Sequence, residues 1–80
     1  MKGIMIKLHG WYPLIETTFI SCTTWAEFEE KLLVMFKTHH PSATHLKTTP
    51  DISSYVYILV YNDFGHEQFE ADYYIVQDVL

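Results

Sequence analysis

The sequence predicts an α+β domain in which one helix lies across one face of a mainly antiparallel sheet of four or five strands. One segment near the middle of the 80 residues has the 3.6-residue apolar period of an amphipathic helix. The segments on both sides alternate apolar and polar residues with the period of two that is typical of strands. A chain of this length builds one modest core, so we expect a single domain spanning residues 1–80.

The helix is expected to run from Trp25 to the histidine pair before Pro41. Thr24 and Glu27 have capping-box spacing, in which the threonine oxygen accepts the third helical amide and the glutamate reaches back to the cap amide. Pro41 ends the element because proline disfavours helical geometry in the residue before it. The predicted apolar stripe contains Trp25, Phe28, Leu32, Met35, Phe36 and His39, and is widened by Ala26 and Leu33.

Two helical positions depart from this pattern. Glu29 falls inside the apolar arc, where we expect an edge position with its carboxylate in water, or else a hydrogen-bond partner. Val34 falls in the polar arc, and we expect it to be exposed.

The segments around the helix are predicted to be strands. Residues 4–8 alternate and lead through a turn at 10–13 into a β-branched and aromatic stretch at 14–20, which indicates an N-terminal hairpin. Residues 54–61 and 67–76 should pair antiparallel across a turn at 62–66, with Gly65 in the left-handed position of a type I turn with a bulge. Residues 42–53 should form a loop with one short strand near 44–47.

The last two predicted strands indicate a binding surface. Their aliphatic sides, with Phe69, should lie under the helix: Val56, Ile58, Val60, Phe69, Ala71, Tyr73 and Ile75. The other side then carries tyrosines beside Glu70 and Asp72. Tyrosine combines a large apolar body with a polar tip and loses little rotamer entropy on contact, which suits protein binding. The simpler interpretation is a tyrosine-rich solvent face that supplies only strand propensity.

Charge is distributed unevenly along the chain. Residues 1–47 carry five lysines against four glutamates, net +1, whereas residues 48–80 carry six acids and no lysine or arginine, net −6. Such a field repels phosphate and attracts cationic protein surfaces. We therefore expect no direct binding to nucleic acid, and a partner protein with a basic surface, such as the groove of a nuclease.

No catalytic, metal-binding or cofactor-binding motif is evident, and we expect none of the three. The five histidines have no spacing that places two on one helical face, and Cys22 is the single cysteine. Cys22 precedes the helix, where a thiol can become reactive, but a small buried cysteine is the simpler interpretation. With no long apolar run and no possible internal disulfide, the chain is expected to be soluble and cytoplasmic.

The run Met5-Ile6-Lys7-Leu8-His9-Gly10-Trp11 resembles the start of the bacterial immunity protein 7 family, whose members tend to begin with a short strand that leads into His-Gly-Trp. The following order, an acidic helix and then an aromatic strand ending in Tyr61-Asn62-Asp63, is similar in outline. The resemblance implies neutralisation of a cognate toxin, often a nuclease, by direct binding. It assigns no binding residues. The His-Gly-Trp run also has a structural interpretation, as a glycine turn whose aromatic neighbour packs over the end of the core.

The predicted function is that of a small acidic inhibitor that binds and blocks one partner protein. The partner would be a nuclease toxin, as for an immunity protein or antitoxin, or a bacterial defence nuclease, as for a phage anti-CRISPR protein. The acids would steer and pair with target lysines and arginines, and the tyrosines would be the desolvated anchors. The predicted partner-binding residues are Tyr55, Tyr57, Tyr61, Glu67, Glu70, Asp72 and Tyr74.

Two alternatives remain open. One is a homo-oligomeric structural or assembly subunit, in its simplest form a homodimer, whose tyrosine face pairs with itself. Acids facing acids across a two-fold axis argue against it. The other is a small ligand-binding or enzymatic domain that uses Cys22 or the histidines.

Overall fold

The computed structural model describes residues 1–9 and 17–78 and confirms the α+β class. Its elements are β1 (Gly3–Leu8), β2 (Thr18–Ser21), α1 (Trp25–His39), β3 (His45–Pro50), β4 (Tyr55–Asn62) and β5 (Gly65–Val76). The five strands form one sheet in the order β2-β1-β5-β4-β3, and every neighbouring pair is antiparallel.

Strand β5 lies at the centre of the sheet and is longer than its neighbours. It pairs with β4 through residues 65–72 and with β1 through residues 71–76, so that among the described residues only Ala71 and Asp72 have strand partners on both sides. The two hairpins, β1–β2 and β3–β4, are therefore offset along β5. This offset gives a molecule whose extents are 45 by 22 by 22 Å.

The helix begins and ends where the sequence predicts. Thr24 is the N-cap, and its hydroxyl oxygen accepts the backbone N–H of Glu27 at 3.1 Å. The second half of the predicted capping box is different, because the Glu27 carboxylate accepts the backbone N–H of Thr23, at 2.7 Å, and not that of the cap residue. At the other end, His40 donates its backbone N–H to the Phe36 carbonyl oxygen and the chain turns away at Pro41.

The core lies between α1 and the sheet. Its buried residues come from both layers: Ile4, Ile6, Leu8, Ile20, Cys22, Phe28, Leu32, Phe36, Ala43, Val56, Ile58, Val60, Phe69 and Ala71. Two predictions are wrong at the ends of this interface. His39 is exposed because the helix ends there, and the rings that contact Phe69 of the sheet are those of Phe36 and His40. Ile75 is 42% exposed because β4 begins opposite Asp72 and does not extend beside this end of β5.

Three further helical residues, Val34, Glu29 and Ala26, differ in their exposure to solvent. Val34 is exposed as expected, at 65%. Glu29 is half-buried and takes the second of its two predicted arrangements, because the Thr48 hydroxyl donates to its carboxylate at 2.7 Å. Ala26 is exposed and lies beside β3, so it does not widen the buried stripe.

Several strand boundaries differ from the prediction. β2 begins at Thr18, after an unpaired Thr17, and the predicted positions 10–16 lie outside the described residues. β3 extends over six residues, where a shorter strand near 44–47 was expected. The predicted bulge is absent from the β4–β5 hairpin, because Asn62 pairs directly with Gly65 and the register continues unbroken to Tyr55 and Asp72. Gly65 does have a positive φ, at 149°.

Both edge strands carry features that discourage further strand pairing. Lys31 on α1 donates its ammonium group to the Ser21 carbonyl oxygen on β2 at 2.6 Å. Strand β3 contains Lys47, and it ends with Pro50, which has no backbone N–H to donate. Lysine and proline at sheet edges oppose edge-to-edge association. The sheet edges are therefore poor sites for adding another strand.

Candidate protein-binding surface

Alternation along the strands places a second set of side chains on the side of the sheet away from α1. We call this side the open face, and its strand residues include Phe19, Met5, Lys7, Tyr74, Asp72, Glu70, Gln68, Tyr55, Tyr57, Leu59, Tyr61, Thr49, Lys47, His45 and His66. Three of its aromatic side chains are exposed to solvent, namely Phe19 at 43%, Tyr57 at 39% and Tyr74 at 58%. Exposed aromatic residues at this density are typical of contact surfaces.

Strand β4 presents the predicted row of tyrosines. The Tyr55 ring makes an edge contact with the Tyr57 ring at a centroid distance of 5.4 Å, and a second one with the His9 ring at 5.0 Å. Tyr61 lies between two histidines, with His45 stacked at 4.5 Å and 2° and the second ring, from β5, tilted at 5.4 Å. These contacts hold the rings in fixed orientations, which lowers the entropy lost when a partner covers them.

The two acids on this face already have partners within the chain. The Tyr55 hydroxyl donates to the Glu70 carboxylate at 3.0 Å, and His9 Nε2 lies 2.5 Å from the Asp72 carboxylate. Partial burial of the Tyr55 phenol, together with the bond to Glu70 and its negative charge, raises the pKa of Tyr55 to about 12. Both carboxylates therefore help to order the neighbouring aromatic rings.

The described strand residues of the open face are not acidic overall, which differs from the expectation. Lys7 lies directly opposite Asp72, and Lys47 lies opposite Leu59, so the face carries two strand lysines against two strand acids. The acidic face was predicted from the pairing of β4 with β5 alone. The neighbouring strands β1 and β3 supply the compensating charges. The acidic excess of the chain therefore lies mainly outside this face.

A second aromatic patch lies on the other half of the open face. Phe19, Met5 and Tyr74 form one row across β2, β1 and β5, and the Phe19 ring lies over Gly3. Beside this row is a mainly apolar depression of about 300 Å³, whose lining includes Thr17, Ser53, Ser54, Asp72 and Tyr74. The offset of the two hairpins separates this patch from the β4 tyrosines. Tyr74 therefore belongs with Phe19 and Met5, and not with the other predicted tyrosines.

Six of the seven predicted partner-binding residues lie on the open face, in two groups. Glu67 does not lie there, because it pairs with Val60 and shares the helix side of β5 with Phe69. It is exposed near the hairpin turn, where Phe64 is 96% exposed. Phe19, Met5, Lys7 and Lys47 were missed. Alternation along each strand places these side chains on the face away from their more buried neighbours. The strand order is needed to bring them beside the tyrosines.

Other candidate sites receive little structural support. Burial and the neighbouring Glu27 charge raise the pKa of the Cys22 thiol, which is the opposite of activation. Within the part of the chain that the structure describes, no group of three or more His, Cys, Asp or Glu residues is placed to hold a metal ion. In the same residues, no helix is long and apolar enough to cross a membrane. Of the His9-Gly10-Trp11 motif only His9 lies within the described residues.

Comparisons of the chain with protein-family models, with curated proteins and with solved structures found no match. The resemblance to the immunity protein 7 family therefore stays a prediction.

Proposed function

We propose that this protein is a stoichiometric inhibitor that binds a partner protein through its open face. The observation that supports this most directly is the ordered row of β4 tyrosines, with Tyr57 exposed between the Tyr55 and Tyr61 contacts. Tyrosine is one of the residues that most often dominates binding energy when it is buried at the centre of an interface.

The proposed target is a protein with a basic surface, such as a nuclease toxin or a defence nuclease. The net charge of −5 supports long-range attraction to such a surface. Because the open face is locally balanced, we assign steering to exposed acids around its margin, such as Asp63 and Glu67 at the hairpin turn. Glu70 and Asp72 act differently, since their carboxylates hold Tyr55 and His9 in place.

Variant binding kinetics test this division of roles. The tagged protein is used to isolate its target from the source cells, and the purified pair is then measured by surface plasmon resonance. Tyr57→Ala should weaken binding by about 1–3 kcal/mol, mainly through faster dissociation. Glu67→Gln should slow association and reduce its dependence on salt while leaving dissociation nearly unchanged.

Val34→Ala is the matched control, because Val34 is exposed on α1, on the other side of the sheet. It should bind like the wild type. Equal affinity of the Tyr57 and Val34 variants would remove the open face as the target site. A labelled oligothymidylate should not bind, since the acids of the face offset its lysines; salt-sensitive binding of that probe would contradict the proposal.

A further inference from the structure

The open face is self-complementary when its residues are followed in rows across the strands. One row contains Phe19, Met5 and Tyr74, and the next contains Lys7, Asp72 and Tyr55. In a third row, His9 donates its backbone N–H to the Glu70 carbonyl oxygen, which places these two residues side by side. In each of the last two rows a basic or ionisable β1-side residue therefore lies beside a β5 acid.

We propose that a second copy of this chain packs on the open face, forming a two-fold symmetric dimer of stacked sheets. The axis would run parallel to the strands, between β1 and β5. Such an axis places each open-face residue of β1 over the β5 residue of the second copy that is its sheet partner. By symmetry, that β5 residue of the first copy lies over the β1 residue of the second copy. Lys7 then faces Asp72 of the second copy, and His9 faces its Glu70.

The same axis matches the apolar groups. Met5 faces Tyr74 of the second copy, and Phe19, one strand further out, comes over the depression beside Tyr74 and Ser54. The 43%-exposed ring of Phe19 would thus enter the depression of about 300 Å³. The earlier objection, that acids would meet acids across the axis, does not hold for this arrangement, because strand β1 supplies the facing lysine.

The contact area predicts a dimer that dissociates readily. With the axis between β1 and β5, the two copies overlap along β1 and residues 71–76 of β5, because β4 pairs only with residues 65–72 of β5 and lies beyond the level of β2. The overlap therefore covers about half the length of β5 and is smaller than a standard interface, which buries about 800 Å² on each partner. The β2 edge is protected by Lys31 of α1, which donates to Ser21, and the β3 edge by its own Lys47 and Pro50, which favours association through the face over association through the edges.

This dimer goes beyond the proposed function and competes with it, since a second copy over Tyr74 and a target over Tyr57 would occupy adjoining parts of the open face. Target binding would require dissociation of the dimer. The free protein would therefore keep the row of Phe19, Met5 and Tyr74 covered until a target of higher affinity binds.

Sedimentation equilibrium of the purified 80-residue protein tests the proposal, over concentrations of about 1–100 µM. The wild type should show a monomer–dimer equilibrium. Lys7→Glu and Asp72→Lys should each raise the dissociation constant by at least about tenfold, because each places like charges opposite one another. The double charge swap should restore dimerisation to within about threefold of the wild type.

Lys37→Glu is the control matched in charge, since Lys37 is exposed on α1 and away from the open face. It should leave the equilibrium unchanged. Tyr74→Ala provides a neutral second variant, and its fold is checked by circular dichroism. A wild type that stays monomeric at every concentration overturns the inference, as does an equal effect of the Lys7 and Lys37 variants.

The two proposals fail separately. A monomer whose target binding depends on Tyr57 would overturn the dimer and leave the inhibitor function in place. A dimer that depends on Lys7 and Asp72, with target binding unaffected by Tyr57→Ala, would support the dimer and remove the open face as the target site.

Discussion

Substitution of Gly3 by alanine should destabilise the protein through steric overlap alone. A Cβ atom at this position would lie 2.4 Å from Cζ of Phe19 and 2.5 Å from the carbonyl oxygen of Ile20, whereas real Cβ atoms are almost never closer than 3.0 Å to another heavy atom. The Phe19 ring can move because it is partly exposed, but the Ile20 oxygen belongs to the paired backbone of β2. Gly3 is therefore required for the close approach of β1 and β2.

Overpacking of this kind costs about 1–3 kcal/mol in the free energy of unfolding. For a domain of this size, each kcal/mol lowers the melting temperature by about 4–8 °C. We therefore expect Gly3→Ala to melt roughly 5–20 °C below the wild type, measured by circular dichroism and checked by urea unfolding. A change in the free energy of unfolding of less than about 0.5 kcal/mol would refute the packing of Phe19 on Gly3.

Two further variants separate the ring contact from the backbone contact. Combining Gly3→Ala with Phe19→Ala removes the ring, so the double variant should be more stable than the sum of the two single effects predicts. The recovery of stability should be partial because the overlap of the added Cβ with the Ile20 carbonyl oxygen remains. Gly65→Ala offers a contrast: nothing lies within 4 Å of its added Cβ, but its φ of 149° strains any other residue. Its cost of about 1–3 kcal/mol should be independent of Phe19.

The remaining predictions concern the core, the helix cap and the tyrosine row. Phe28→Ala should reduce the free energy of unfolding by about 3–5 kcal/mol in urea titration, because its fully buried ring packs on Trp25; a loss below about 1 kcal/mol would contradict the core assignment. Thr24→Ala should cost about 1 kcal/mol in the same assay through loss of the cap bond to the Glu27 amide. Spectrophotometric titration should show the Tyr55 phenol ionising near pH 12, and Glu70→Gln should move this pKa toward the ordinary value of about 10. Since folding raises the pKa of Tyr55, its contribution to stability is complete below about pH 10 and is lost as the pH rises through about 12.

The sequence predicted the elements whose side chains are either clearly buried or clearly exposed. The helix could be placed because Phe28, Leu32 and Phe36 repeat at helical spacing and Thr24 caps the first turn. β4 and β5 could be placed because buried and exposed residues alternate along most of their length. Burial against a single neighbouring layer is what produces both patterns, so the periods identify these elements without knowledge of the partner strands.

Strand order was beyond what local patterns can show. Lys7 and Lys47 each alternate correctly, but the pairing of β1 with β5 joins residues far apart in the chain, and the pairing of β3 with β4 depends on a strand longer than the one expected. That pairing decides whether the surface is acidic or balanced. β3 was underestimated because its half-buried Thr48 is held by a polar network with Trp25 and Glu29, which gives little apolar alternation.

The position of β5 also has a consequence for how the chain folds. Its first residues meet β4 across a two-residue turn, while its last residues must find β1, so that Val76 pairs with Gly3 from the other end of the chain. Closing the long loop costs more conformational entropy than closing the short one. We therefore expect the β4–β5 hairpin to form early and the β1–β2 hairpin to dock late. Variants at the β1–β5 seam should change mainly the unfolding rate, and variants within the β4–β5 hairpin mainly the folding rate.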